Sequence, residues 1–249
     1  MPLDAPADRL RAAANALERL RAAAPRVHVL TNVAAATLSA NALLALGATP
    51  SLTDDPDETG DFVRTAGALA VNLGTPDPRR DRAIETAVDA AGAAKIPWLL
   101  DPVMIERAPA RLAAARRLTA RGPAVLRLNE AERAALFDGA QAPRYHGCLA
   151  VSGQTDQLRL GDRRAAVANG TPLFARTTGT GCALGAATAA FLAVEADPLQ
   201  AALAGALAFG IAGELAAERA PGPGGFPAAL LDALAALDPE TVQTRGRIA

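Results

Sequence analysis

Short, largely apolar runs recur along much of the chain, separated by amphipathic stretches. The runs cover residues 27–30, 68–73, 96–100, 124–128 and 148–151 and are rich in Val, Ile, Leu and Ala. Such runs suit strands buried on both faces, and parallel neighbours need a crossover that a helix normally supplies. Stretches 36–46, 78–93, 110–119 and 130–137 read as those helices, the second opening with the turn signal Thr75-Pro76-Asp77-Pro78. The pattern predicts a mostly parallel central sheet flanked by helices. Residues 157–160 and 163–168, joined by Gly161-Asp162, read as a hairpin that ends the parallel run.

Beyond Gly179 the pattern is helical almost without interruption. One long helix is expected from Cys182, another over 199–218 and a last over 226–237, the last two parted by Pro221-Gly222-Pro223-Gly224-Gly225. The apolar stretch 183–217 is broken by Glu195, Asp197, Pro198, Gln200 and Glu214, so two buried helices explain it better than a membrane span. Residues 1–24 carry Asp, Arg and Glu among Ala and Leu at helical spacing, which predicts an amphipathic helix rather than a signal peptide. The polar tail from Asp238 is expected to fray. With no repeat and no linker, the expectation is one α/β domain over residues 1–249 with a helical C-terminal third.

A chain of 249 residues with 51% hydrophobic content is ample for one sizeable core. Basic and acidic residues nearly cancel, 25 against 26, so no basic field draws the chain to nucleic acid or an anionic membrane. One Trp and one Tyr weaken any reading built on base stacking or carbohydrate platforms. Cys148 and Cys182 lie far apart without disulfide or zinc spacing, which fits a reducing cytoplasm. Small-molecule chemistry is the expectation that remains.

The strongest local feature is Thr177-Thr178-Gly179-Thr180-Gly181-Cys182-Ala183, where glycines and hydroxyls precede a long apolar helix. A helix start offers backbone N–H groups without internal partners and a positive dipole end, and glycines admit a ligand close to the backbone. Phosphate or a developing oxyanion suits that place; the plainer reading is a tight turn in which Thr178 or Thr180 caps the helix. Cys182, in the first helical turn, has the dipole environment that lowers a thiol pKa, against the alternative of an ordinary buried cysteine.

A second cluster stands at strand ends, where open parallel sheets place their crevice: Asp101-Pro102-Val103 and Arg127-Leu128-Asn129-Glu130-Ala131-Glu132. Adjacent parallel strands would bring Asp101 and Glu132 together, and two carboxylates suit hydrated magnesium. Turn formation before Pro102 and a first-turn helix carboxylate explain the same two residues without a ligand. Arg127 suits a phosphate or a plain ion pair, and Asn129 doubles as a helix cap. The run Asp54-Asp55-Pro56-Asp57-Glu58 reads as solvated loop and helix start, and His28 and His146 lack zinc spacing. There is no Gly-x-x-x-x-Gly-Lys-Ser/Thr loop, no Gly-x-Gly-x-x-Gly after the first strand and no nucleophile elbow around Ser152-Gly153.

Taken in order, these pieces resemble the hydroxyethylthiazole kinase family of thiamine salvage, over approximately residues 24–237. Val27-His28-Val29-Leu30-Thr31-Asn32, the stretch 41–50, Asp54-Asp55-Pro56, Asn72-Leu73-Gly74-Thr75, Leu100-Asp101-Pro102-Val103 and Asn129-x-x-Glu132 match in kind and order. Thr178-Gly179-Thr180-Gly181-Cys182 is the most specific piece, and Phe209-Gly210-Ile211-Ala212-Gly213-Glu214 with Gly222-Pro223-Gly224 completes the series.

The resemblance implies a ribokinase-like fold, ATP-dependent phosphorylation of the primary alcohol of 4-methyl-5-(2-hydroxyethyl)thiazole, magnesium dependence and a homotrimer with sites between subunits. It implies Arg127 and Ser152, with Asn129 beside them, at ATP. Gly179, Leu52 and Asn32 fall on the substrate side, Asp101 and Glu132 at magnesium and phosphate, and Cys182 beside the reacting hydroxyl, whose proton it is expected to accept. The Gly179, Thr180, Gly181 and Cys182 backbone would hold the transferred phosphoryl group. This chain departs from the family at Leu52, where methionine is common, at Val33-Ala34-Ala35-Ala36, at Leu128 and at Met104-Ile105-Glu106-Arg107-Ala108 in place of a glycine-rich segment. A kinase for another small alcohol, or a thiazole or nucleotide sensor, remains the alternative expectation.

Overall fold

The structure, a computed structural model, describes residues 5–138 and 145–248. Eight strands form one sheet in the order β2-β1-β3-β4-β5-β6-β7-β8. The strands are β1 (Arg26–Leu30), β2 (Thr49–Ser51), β3 (Ala68–Asn72), β4 (Trp98–Asp101), β5 (Val125–Asn129), β6 (Cys148–Ser152), β7 (Asp156–Leu160) and β8 (Arg163–Val167). Strands β1 to β6 run parallel, and β6-β7-β8 pair antiparallel through the expected hairpin. The three-residue β2 had no clear signal beyond a strand start. It tolerates Pro50 because it lies at the sheet edge, where a missing N–H leaves no partner unpaired.

Alternate residues of the strands face two separate helical layers, as the two-residue period of a pleated strand requires. Val27, Val29, Ala68, Ala70, Leu99 and Val125 pack under α1 (Pro6–Ala23), α2 (Ala36–Leu46), α7 (Thr180–Leu192), α8 (Pro198–Arg219) and α9 (Phe226–Ala236). Leu30, Leu69, Val71, Leu100, Leu126 and Leu128 pack over α3 (Thr59–Arg64), α4 (Pro78–Ala94), α5 (Pro109–Thr119) and α6 (Glu130–Leu136). Both faces are thereby covered, which is why the runs carry no polar alternation.

Every residue of α8 from Leu199 to Gly213 is buried. The helix is long and apolar enough to cross a membrane, yet its neighbours α1, α7, α9, β7 and β8 enclose it. Small residues bring α7 and α8 together: a Cβ on Gly205 would stand 2.6 Å from Thr188 Oγ1. The first four residues of the expected N-terminal helix lie outside the described residues; from Pro6 the helix is present.

One expectation is overturned. The tail after Asp238 forms a further helix, α10 (Pro239–Arg245), rather than fraying. Asp238 caps it by accepting the Thr241 N–H at 2.7 Å, and Pro239 sits at the first turn, where a missing N–H does no harm. Past α10, Ile248 pairs antiparallel with Val167 of β8.

Candidate active site

The carboxyl ends of the parallel strands deliver Asn32, Asn72, Asp101, Arg127, Asn129 and Ser152 to one edge of the sheet, and the start of α7 meets them there. Register explains the convergence: Asn72 stands opposite Asp101 and Asn129 opposite Ser152. Asn72 is the hub. Its Nδ2 donates to Asp101 Oδ2 at 2.9 Å and Cys182 Sγ at 3.2 Å, while its Oδ1 accepts from Asn32 Nδ2 at 3.1 Å and Gly74 N at 3.0 Å. Asn32 Nδ2 also donates to Cys182 Sγ at 3.2 Å. The sequence marked Asn72 only as part of a matching segment; the available signal was a polar side chain ending an apolar strand, as at Asp101.

Asp101 is buried, and that burial raises its carboxyl to about 6; the Arg127 guanidinium opposes the shift and the Glu132 charge adds to it. Burial and the charge of Asp101 also push the Cys182 thiol up, against the Asn32 amide, Arg127 and the Asn72 amide. Of the two readings of this thiol, these contacts favour the buried cysteine. The thiol is partly withdrawn from water beside a carboxylate, and both effects disfavour its charged form.

Glu132 is also buried, and both of its oxygens are engaged. Oε2 accepts Asn129 N at 2.7 Å in a capping box whose other half is Glu132 N to Asn129 Oδ1 at 2.9 Å. Oε1 accepts Met104 N at 2.7 Å. Val103 and Met104 both hold positive φ, 48° and 56°, where glycine is at home. Arg111 donates to Val103 O at 2.7 Å, so this bend is held from both sides.

Arg127 Nη1 lies 3.5 Å from Asp101 Oδ2, its Nε is buried without a partner, and a Cβ on Gly181 would stand 3.4 Å from its Nη2. The guanidinium therefore lies against the start of α7 with hydrogen-bonding capacity unspent. It also lines a cleft of about 880 Å³, within the size range of small-molecule sites, with Asn129, Ser152, Thr180 and Gly181. Asn169, Phe174, Phe209 and Gly210 line it as well. Asp156, missed in the sequence, lines the same cleft and accepts Gly153 N at 3.0 Å, and burial raises its carboxyl.

Gly179 has φ +87°, and a Cβ there would approach Ala35 Cα to 3.2 Å, so the turn into α7 needs glycine on both counts. Thr180 Oγ1 donates to Phe174 O at 2.8 Å and Thr177 O at 3.0 Å, which leaves its backbone N–H rather than its hydroxyl for a ligand. Leu52 stands apart, following the edge strand β2 and packed against the core beneath α1 and α2 rather than joined to the Asn72 cluster. His28 is likewise structural: buried, it bonds Ser51 Oγ and Thr59 Oγ1 at 2.9 Å each, and burial lowers it to about 4.

The profile of the hydroxyethylthiazole kinase family matches residues 17–143 and 138–240. The chain belongs to that family. A probable hydroxyethylthiazole kinase of Agrobacterium fabrum is 42% identical over 236 residues, covering 95% of this chain and 94% of the relative. Among solved structures, the hydroxyethylthiazole kinase protein of Pyrococcus horikoshii OT3 superposes with a TM-score of 0.91 at 35% identity, covering 95% of this chain and 98% of its own. A Staphylococcus aureus pyridoxal kinase in complex with ADP reaches a TM-score of 0.56 at 17% identity, covering 74% of this chain and 86% of its own; that likeness concerns the fold. The fold is thus ribokinase-like, and the family is one of phosphotransferases.

Proposed function

We propose that this chain transfers the γ-phosphoryl group of ATP to the primary alcohol of 4-methyl-5-(2-hydroxyethyl)thiazole. The observation that carries the reading is the Arg127 guanidinium, its Nε without a partner, set between the cleft and the start of α7 beside Cys182 and Asp101. The nucleotide lies in the cleft against Arg127, Asn129 and Ser152. Its terminal phosphoryl reaches the backbone of Gly179, Thr180, Gly181 and Cys182, where unpaired N–H groups and the dipole favour charge. The alcohol occupies the other side, against Asn32, Gly179 and Cys182.

A loose transition state asks for positioning and charge stabilisation more than for a strong base, which agrees with the upward shift of the Cys182 thiol. The thiol orients the hydroxyl, whose proton passes to an oxygen of the transferred phosphoryl group as the new P–O bond forms and ADP leaves, and the helix start does most of the catalysis. Magnesium fits as a hydrated ion. Asp101 offers a carboxylate that ionises above pH of about 6, while the two oxygens of Glu132 already accept N–H bonds and would reach the ion through its water shell. When bound, the metal supplies positive charge against the phosphate oxygens.

The protein works in the cytoplasm, with both cysteines free, and as a homotrimer whose subunits meet around the alcohol site. The test is ADP release from magnesium-ATP with and without the thiazole alcohol, the phosphate ester being confirmed by mass. Product formed only with the thiazole supports the reading. Nucleotide binding without turnover points to a sensor, and turnover with another alcohol alone points to the departures at Val33, Leu52 and Met104.

A further inference from the structure

The segment after α10 and one face of α8 meet behind the cleft in a dense polar cluster. Gly210, Gly213 and Glu214 fall three and four residues apart, so they share a face of α8. A Cβ on Gly210 would stand 2.6 Å from Asn169 O, and a Cβ on Gly213 would collide with the Phe174 ring. The loop from Ala168 to Phe174 is therefore seated directly on the α8 backbone.

Glu214 then ties the loop down. Its carboxylate accepts Gly170 N at 2.8 Å, Asn169 Nδ2 at 3.1 Å and the Arg247 guanidinium at 2.5 and 3.1 Å. Arg247 closes the cluster from the other side: its N donates to Asn169 Oδ1 at 2.7 Å, its O accepts Ala168 N at 3.0 Å and its NH2 donates to Ala168 O at 2.7 Å. Asn169 Nδ2 also donates to Arg245 O at 2.9 Å. Ala168, Asn169, Gly170, Thr171 and Phe174 line the cleft; Glu214 and Arg247 do not.

We infer that Glu214 and Arg247 are positioning residues that hold the Ala168–Phe174 wall in the shape the nucleotide needs, an inference that rests on reading the cleft as the nucleotide site. The wall has no sheet or α-helical ladder between Val167 and Pro172, so without the clasp its ordering falls to the ligand and weakens binding. Because the residues that the clasp holds line the cleft, whereas Cys182 and Asp101 are not part of that lining, the loss appears in nucleotide affinity and not in the alcohol.

The experiment measures ADP binding by calorimetry, without alcohol, and steady-state kinetics for the full chain and for Arg247→Ala, Glu214→Gln, their double variant and Arg247→Lys. Each single variant is expected to weaken ADP binding and raise the ATP KM about 5- to 20-fold, with kcat and the alcohol KM within about twofold, the pattern of lost ground-state binding. The double variant should be little worse than either single, since both break one unit, and Arg247→Lys should recover part of the loss. Unchanged ADP affinity in the variants overturns the clasp alone, and so does a loss shared equally by kcat and the alcohol KM. A wild-type chain that binds no ADP overturns the nucleotide reading and the clasp with it. If Arg247→Ala does not fold, the isosteric Glu214→Gln decides by the same readouts.

Discussion

Replacing Asp101 with asparagine should stabilise the protein at alkaline pH while disabling it. The buried carboxyl has its pKa raised from 3.8 to about 6, so its ionised form is the one the fold disfavours. A folded-state pKa above the unfolded one means stability that is present at low pH and lost as pH rises through the folded value. At 1.36 kcal/mol per unit, the loss amounts to about 1–2 kcal/mol at pH 5 and about 3 kcal/mol at pH 8. The asparagine side chain in Asp101→Asn keeps an oxygen to accept the Asn72 amide and carries no charge to desolvate.

Thermal and urea unfolding at pH 5 and 8 should therefore place Asp101→Asn above wild type, by about 6–12 °C at the higher pH and about half that at the lower. The ADP-release assay on the same samples should fall by about 10²–10³-fold. Equal stability of the two proteins at both pH values, or a less stable variant at pH 8, would refute the claim that this carboxylate is held ionised at a cost to the fold.

Other variants probe the remaining parts of the site. If Asp101 must be ionised, kcat/KM of the wild type should rise with pH through about 6, and a flat profile between pH 5 and 7 would exclude that requirement. Cys182→Ala should lower turnover by about tenfold, whereas Gly181→Val, which pushes a side chain against Arg127, should lower it by at least about 10²-fold; equal, small effects would sink the helix-start mechanism. Arg127→Gln should raise the ATP KM by about tenfold or more without moving the alcohol KM, measured by varying each substrate in turn. Gly179→Ala should cost about 1–2 kcal/mol in urea unfolding, from its positive φ and the close Ala35 backbone, and an unchanged midpoint would show that the turn relaxes freely.

The apolar runs alone determined the layered fold, because a strand covered on both faces has no polar alternation to interrupt it. Local chemistry was just as legible at Asn129-x-x-Glu132, whose spacing allows the capping box found at α6. The Asp238-Pro239 pair carries the same kind of signal, a helix cap followed by a first-turn proline, although the polar composition of the tail speaks for fraying. The order of motifs also fixed the family, since glycine turns, strand-end acids and a helix start recur at set places along a chain of this kind.

Only the tertiary structure decided how those pieces act on one another. Parallel register sets Asn72 beside Asp101, and the start of α7, far along the chain from both, brings Cys182 to them. The direction of the Cys182 shift was invisible locally because it is set by burial and by a carboxylate from β4, which only the fold brings to the thiol. The tie of Glu214 and Arg247 to the Asn169 loop joins three distant segments, none of which signals the others. Periodicity and capping are properties of neighbouring residues and can be read from them; desolvation, charge coupling and shared hydrogen bonds belong to groups that only the fold brings together.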